Sequence, residues 1–310
     1  MTSSAAVLKR RSNTPLKRIM RHWQWYLLIL PPVAWLIIYR YIPMIGVQIA
    51  FRDYWGGSIF SGKFIGLYHF RNFFKTPQSL QLILNTLGIS AYSLIAGFPL
   101  PIFLALFLNA SIFTRLKKSV QMVTYAPYFI STVVMVGIIT QIIHPQFGLV
   151  NRFVQFLGYE SQNYIGMPSL FKSLFVWTGV WQYTGYNSII YLAVLSSVDP
   201  ALHEAAVVDG ASRFKRIIYI DLPAILPTAT IMLILNAGNV MNVGFEKVYL
   251  MQNSLNMVAS DVISTHVYRR GLEGAQFSYA TAVGLFNSVV NMVLLVIVNQ
   301  IARQGETSLW

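Results

Sequence analysis

Along the 310 residues, Asp, Glu, Lys and Arg are missing from six long stretches: 22–39, 76–114, 119–151, 173–198, 222–245 and 274–302. Each can supply the roughly 17–25 largely apolar residues that a membrane-crossing helix needs. The next gap, 248–260, is shorter and carries Gln252, Asn253, Ser254, Asn256 and Ser260, so the count of about six has a visible break below it. Inside lipid every backbone N–H must find an internal partner, which leaves helices or a closed barrel. Barrel strands alternate apolar and polar residues. The runs Ile102-Phe-Leu-Ala-Leu-Phe-Leu and Met292-Val-Leu-Leu-Val-Ile-Val do not. The pattern predicts an all-α integral membrane protein with about six transmembrane helices. Its first apolar run is interrupted by Pro31-Pro32 and lacks a small-residue cleavage site, so it reads as a retained helix kinked at the prolines.

Composition agrees with that reading. Only 11% of the residues are charged, against roughly 25% in a soluble domain. The net charge of +13 is unevenly placed. Lys9, Arg10, Arg11, Lys17, Arg18 and Arg21 precede the first stretch. Arg115, Lys117 and Lys118 follow the second, Arg213, Lys215 and Arg216 follow the fourth, and Arg303 lies in the tail. These thirteen lie on one side, and the remaining ten are spread over longer loops on the other. The excess of Lys and Arg in short loops predicts cytoplasmic N- and C-termini. The basic charge suits anionic lipid and calls for no nucleic acid. The chain divides into a basic cytoplasmic arm 1–21, a transmembrane domain 22–303 and a tail 304–310. Cysteine is absent, which excludes disulfides and thiolate chemistry.

Between the fourth and fifth stretches lies Asp199-Pro-Ala-Leu-His-Glu-Ala-Ala-Val-Val-Asp-Gly-Ala-Ser-Arg-Phe-Lys-Arg. Asp199 suits an N-cap, and Pro200 suits the first helical position, where no N–H is required. Gly210 can adopt the left-handed conformation that ends a helix, and Ser212 can cap the next one. Loop 199–217 thus predicts a short helix, a sharp bend and a second helix on the cytoplasmic side. The same physics also suits an ordinary interfacial helix.

Glu204-Ala205-Ala206, then Gly210, then Ile220-Asp-Leu-Pro223 resembles the EAA loop of binding-protein-dependent ABC importer permeases. The resemblance runs through Tyr41-Ile-Pro-Met-Ile-Gly-Val-Gln-Ile-Ala-Phe, Leu84-Asn-Thr-Leu, Gly97-Phe-Pro-Leu-Pro, Tyr125-Ala-Pro-Tyr-Phe-Ile-Ser and Ser278-Tyr-Ala-Thr-Ala-Val-Gly-Leu-Phe. It points to the maltose-type sugar permeases, in the polysaccharide and oligosaccharide branch that includes the alginate importer. The large inserted external domain of the maltose permease itself is missing. The resemblance implies a type I ABC importer transmembrane fold in the bacterial cytoplasmic membrane. It also implies a second, similar permease, two ATPase subunits, an external solute-binding protein and a carbohydrate substrate. ATP and magnesium would then sit on the ATPase subunits, with no cofactor on this chain. By the same resemblance Glu204, Ala205, Ala206, Gly210 and Phe214 form the surface that couples to the ATPase.

Sugars are held by amide hydrogen bonds and by stacking on aromatic rings. Candidates for the substrate path are therefore Trp177, Trp181, Tyr183, Asn187, Asn236, Asn239, Asn287 and Asn291, paired three or four apart on helical faces. The asparagines equally suit helix bridging, and the aromatics an interfacial belt. Gly57-Ser-Ile-Phe-Ser-Gly-Lys63 has P-loop spacing, but Phe64 stands where Ser or Thr must hold magnesium. Glu246, Asp261 and Glu273 read as surface pairs in an external loop. The five histidines lack metal-ligand spacing, and no nucleophile, metal site or acid/base set argues for catalysis. A secondary transporter or channel is the alternative, although the spans lack the carboxylates that proton coupling uses.

Overall fold

The computed structural model describes residues 22–303, so the basic arm 1–21 and the tail 304–310 lie outside the described residues. Among those described, the chain is helical with one isolated bridge, Arg52 to Phe64. Its elements are α1 Trp23–Phe51, α2 Tyr68–Lys75, α3 Gln78–Ala110, α4 Thr114–Phe129, α5 Thr132–Ile142, α6 Leu149–Phe156, α7 Pro168–Ser196, α8 Pro200–Val208, α9 Arg213–Ala237, α10 Phe245–Met251, α11 Met257–Ser260, α12 Ile263–Tyr268 and α13 Phe277–Arg303.

Four of these, α1, α3, α9 and α13, are long and apolar enough to cross a membrane. The third charge-free stretch becomes α4 and α5, bent by 106°, and raises the number to five if the pair is one span. The break is built, not frayed: Ser131 caps α5 by accepting from the Val134 N–H, and Gln182 of α7 donates to the Ile130 carbonyl at 3.0 Å. The fourth stretch lies in α7, whose 29 residues extend about 43 Å at 1.5 Å per residue. Length suffices there, but Thr178, Gln182, Thr184, Asn187 and Ser188 dilute its apolarity.

Two local expectations change. The prolines at 31 and 32 lie within a continuous α-helical segment, Trp23–Leu36. The departure from α geometry comes later, as a π-helical turn at Ile37–Tyr41, and α1 runs on to Phe51. A second π turn occupies Ile217–Asp221. Both precede a proline by two residues, in Ile-Ile-Tyr-Arg-Tyr-Ile-Pro43 and Ile-Ile-Tyr-Ile-Asp-Leu-Pro223. A proline ring clashes with the carbonyl four residues back, and a widened turn moves that carbonyl aside. The segment 243–273, expected as an external loop, is likewise more ordered than that, folding into α10, α11 and α12.

Helix α7 is central and packs against α3, α4, α9 and α11. Near one end, Phe171, Phe175 and Val176 meet Ile89, Val136, Val248 and Val262. Near the other, Tyr191 and Leu195 meet Ala105, Leu106, Ile225 and Ala229. A Cβ at Gly185 would overlap the Thr124 carbonyl, so glycine sets the closeness of the α7–α4 crossing. Gly185→Val is expected to destabilise the bundle by about 1–3 kcal/mol through overpacking, seen as a lowered melting temperature in detergent.

Candidate functional site

The loop 199–217 folds around its caps. The Asp199 carboxylate accepts from the Ala201 N–H at 2.9 Å, with Pro200 at the start of α8. At the other end Gly210 has φ +77°, the Ala211 N–H reaches the Ala206 carbonyl at 2.8 Å, and the Gly210 N–H reaches the Val207 carbonyl at 3.0 Å. That hydrogen-bond pair closes a Schellman motif and satisfies carbonyls a helix end leaves open. Ser212 then caps α9, its hydroxyl accepting from the Lys215 N–H at 3.4 Å. The knob displays apolar surface: Val208 is 88% exposed and Phe214 69%. Glu204 and Ala205 are exposed, while Ala206 is half-buried.

Asp221 fixes this knob to the bundle. Its side chain is buried in the first turns of α9, at 3% exposure. The Asn109 amide, near the end of α3, donates to Asp221 Oδ1 at 3.3 Å, and His203 Nε2 of α8 lies 3.4 Å from the same oxygen. One carboxylate oxygen therefore joins three helices. Sequence reasoning quoted Asp221 within the Ile220-Asp-Leu-Pro223 stretch and gave it no role. An acidic residue two positions before a helical proline, opposite a histidine on the knob, was the signal.

A cavity of about 560 Å³ opens between α3, α7, α9 and α10. Of the proposed path residues it takes Tyr183 and Asn187 from α7 and Asn236 and Asn239 from the end of α9 and the turn after it. Ser90 and Ser93 of α3, Thr184 and Asn242 complete a wall rich in amides and hydroxyls. The other four lie elsewhere. Trp177 and Trp181 flank an apolar outer groove and are 52% and 50% exposed, Trp177 donating to the Tyr92 hydroxyl at 2.8 Å. Asn287 lines the neighbouring groove and donates to Asn242 Oδ1 at 3.1 Å. Asn291 is buried and accepts from the Met241 N–H at 2.9 Å, so it ties α13 to the turn after α9.

The cavity also holds a residue that sequence reasoning missed. Lys247, counted there among loop charges, is 7% exposed and lines the cavity. Its ammonium donates to the Phe175 carbonyl at 2.8 Å and lies 4.6 Å from the centre of the Phe175 ring. Burial lowers it from the ordinary lysine value to about 8. Of the three loop acids, Asp261 pairs with Arg269 at 2.5 Å and Glu273 accepts from Tyr249 at 3.3 Å. Glu246 is exposed on the cavity wall. At Gly57–Lys63 the following residue, Phe64, bridges to Arg52 and no helix starts until Tyr68. These residues do not fit a bound nucleotide phosphate.

A membrane bundle with a polar cavity between its helices and a rigid, capped knob at one end is that of a transport permease. The chain belongs to the family of binding-protein-dependent transport system inner membrane components, which matches residues 97–304. It is 37% identical to the polygalacturonan/rhamnogalacturonan transport system permease protein YteP of Bacillus subtilis (strain 168), over 97% of this chain and 95% of that one. It is 27% identical to the arabinooligosaccharides transport system permease protein AraP of the same organism, over 88% of this chain and 86% of that one. Among solved structures, a chain of a bacterial ABC transporter involved in the import of the acidic polysaccharide alginate superposes with a TM-score of 0.87. It shares 38% identity and covers 93% of this chain and 98% of its own. A second structure, of the bacterial alginate ABC transporter in complex with an alginate pentasaccharide-bound periplasmic protein, also gives 0.87 at 38% identity, over 95% and 99%.

Asp221→Ala removes the shared acceptor of Asn109 and His203. Amide exchange over 200–208 is expected to speed up by about tenfold, the equivalent of roughly 1.4 kcal/mol, while exchange within α13 stays unchanged. Asp221→Asn, which keeps an acceptor oxygen, is expected to change it less.

Proposed function

We propose that this permease passes an oligosaccharide or polysaccharide inward, delivered by an external binding protein and driven by ATP hydrolysed on partner subunits. The observation that carries the reading is the capped helix α8, exposed on its apolar side and tied through Asp221 to the helices that wall the cavity. A second, similar permease completes the pathway, and two ATPase subunits carry the ATP and magnesium. Glu204, Ala205, Ala206, Gly210 and Phe214 form the docking face for one of them. The site lies on the cytoplasmic side of the bacterial inner membrane, and both termini lie there too. The named substrates of the similar permeases and the amide-rich cavity both favour a saccharide. Tyr183, Asn187, Asn236 and Asn239 are its contacts on this chain.

In mechanical terms, closure of the ATPase dimer moves α8. Because α8 ends in a Schellman motif and is braced at His203, it transmits displacement as a rigid body. The displacement reaches α9 and α3 through Asp221, and the cavity between α3, α7 and α9 changes the side to which it opens. Substrate released by the binding protein enters the cavity in one state and leaves it in the other.

The test is sugar-stimulated ATP hydrolysis in proteoliposomes carrying this chain with its partner permease, ATPase and binding protein. Glu204→Ala and Gly210→Pro are expected to insert normally and to lose stimulation or assembly, by about tenfold or more for the proline, which cannot hold a positive φ. Wild-type hydrolysis in both variants would reduce α8 to an interfacial helix and favour a transporter independent of ATP.

A further inference from the structure

Lys247 is a buried cation that the coupling mechanism does not use. Among the described residues it has no acidic partner, only the Phe175 carbonyl and ring. A lone ammonium in a low-dielectric wall is costly unless an anion meets it. Replacing it by an apolar residue of similar length would remove that cost, so packing does not account for its presence.

The surroundings are arranged for a ligand. Gly179 of α7 lines the same cavity, and a side-chain carbon there would stand 3.3 Å from the ammonium, so the glycine leaves the space beside it open. Asn236 and Asn239 line the same cavity and are exposed to it. Glu246 adjoins Lys247 on α10 but points about 100° away around the helix and forms no ion pair with it. Glu246 is exposed and solvent-screened, whereas the Lys247 ammonium acts in a drier medium, where attraction at a few ångströms is far larger.

We infer that Lys247 is the specificity residue of the cavity and that it reads a carboxylate on the sugar, so the transported saccharide is a uronate-bearing one. The inference rests on the importer reading above and narrows its substrate class. The carboxylate accepts from the ammonium, and Asn236 and Asn239 take the sugar's neutral hydroxyls. Polygalacturonan and the acidic polysaccharide alginate, for which two similar proteins are named, bear carboxylates on their sugars, which agrees with this chemistry.

The experiment compares wild type, Lys247→Met and Lys247→Arg in the complete reconstituted complex. The probes are a galacturonic acid tetrasaccharide and its methyl ester. Import of the acid is expected to fall about tenfold or more in Lys247→Met, the loss of one charge-assisted hydrogen bond. Lys247→Arg is expected to keep most of it, and the ester to be imported equally by wild type and Lys247→Met. Lys247→Met is expected to melt a few degrees higher, since it removes a buried charge. Equal loss of acid and ester would overturn the inference, as would undiminished import of the acid. A separate measurement needs no ATP: the NMR signal of 13C-methylated Lys247 in the purified complex. The acid is expected to shift it and the ester to leave it in place. If ATP fails to drive uptake but this shift occurs, the importer reading fails and the carboxylate site stands. An unmoved signal overturns the site.

Discussion

A long helix at the centre of a largely apolar bundle needs partners or a cavity for its polar side chains, and α7 carries many of them. Gln182 anchors the break between α4 and α5, Ser188 bonds back to Gly185 within its own helix, and Tyr183, Thr184 and Asn187 face the cavity. Trp177, Trp181, Ile189 and Ile190 are exposed. This division of faces places the cavity, and it holds because Gly185 lets α4 approach to backbone contact. The rest of the bundle is arranged around that helix, with apolar clusters above and below the polar zone.

Transmission to the knob follows a different rule. Directed polar contacts from Asn109 and His203 hold the buried Asp221 carboxylate in one orientation. In the proposed mechanism, Asp221 is the point at the base of α9 through which motion of α8 would pass. The π turn that contains Asp221 gives it its position. By adding a residue to the helical turn ahead of Pro223, it sets the direction in which the carboxylate leaves α9.

Much of this was legible from single residues. Asp199, Pro200, Gly210 and Ser212 act locally, through bonds to atoms within five positions, and all four take the predicted parts. The four helices long and apolar enough to cross a membrane, and the bent pair, each overlap a charge-free stretch. The orientation of faces was not legible. Trp177 and Trp181 share one face of α7, and Tyr183, two residues on from Trp181, lies about 200° further around. Periodicity groups such residues but does not say which group looks inward. That depends on what packs behind, as it does for Asn236 and Asn239 against Asn287 and Asn291. Lys247 escaped for a related reason: charge in a segment between spans reads as surface until α10 is seen folding back against α7.

The segments between the long helices, 143–165 and 251–261, carry a last consequence. Asn151 binds the carbonyls of Ile143, His144 and Gln162, and Asn256 those of Met251 and Ile165, while Asn85 holds Val258 and Asp261. Three amide side chains thus replace the backbone pairing that a strand or helix would supply. The entropy of ordering these segments is spent when the chain folds, not when another molecule arrives. A protein that docks on this surface meets a finished shape, and its residence time is set by the contacts it makes, with no loop-ordering penalty subtracted from them.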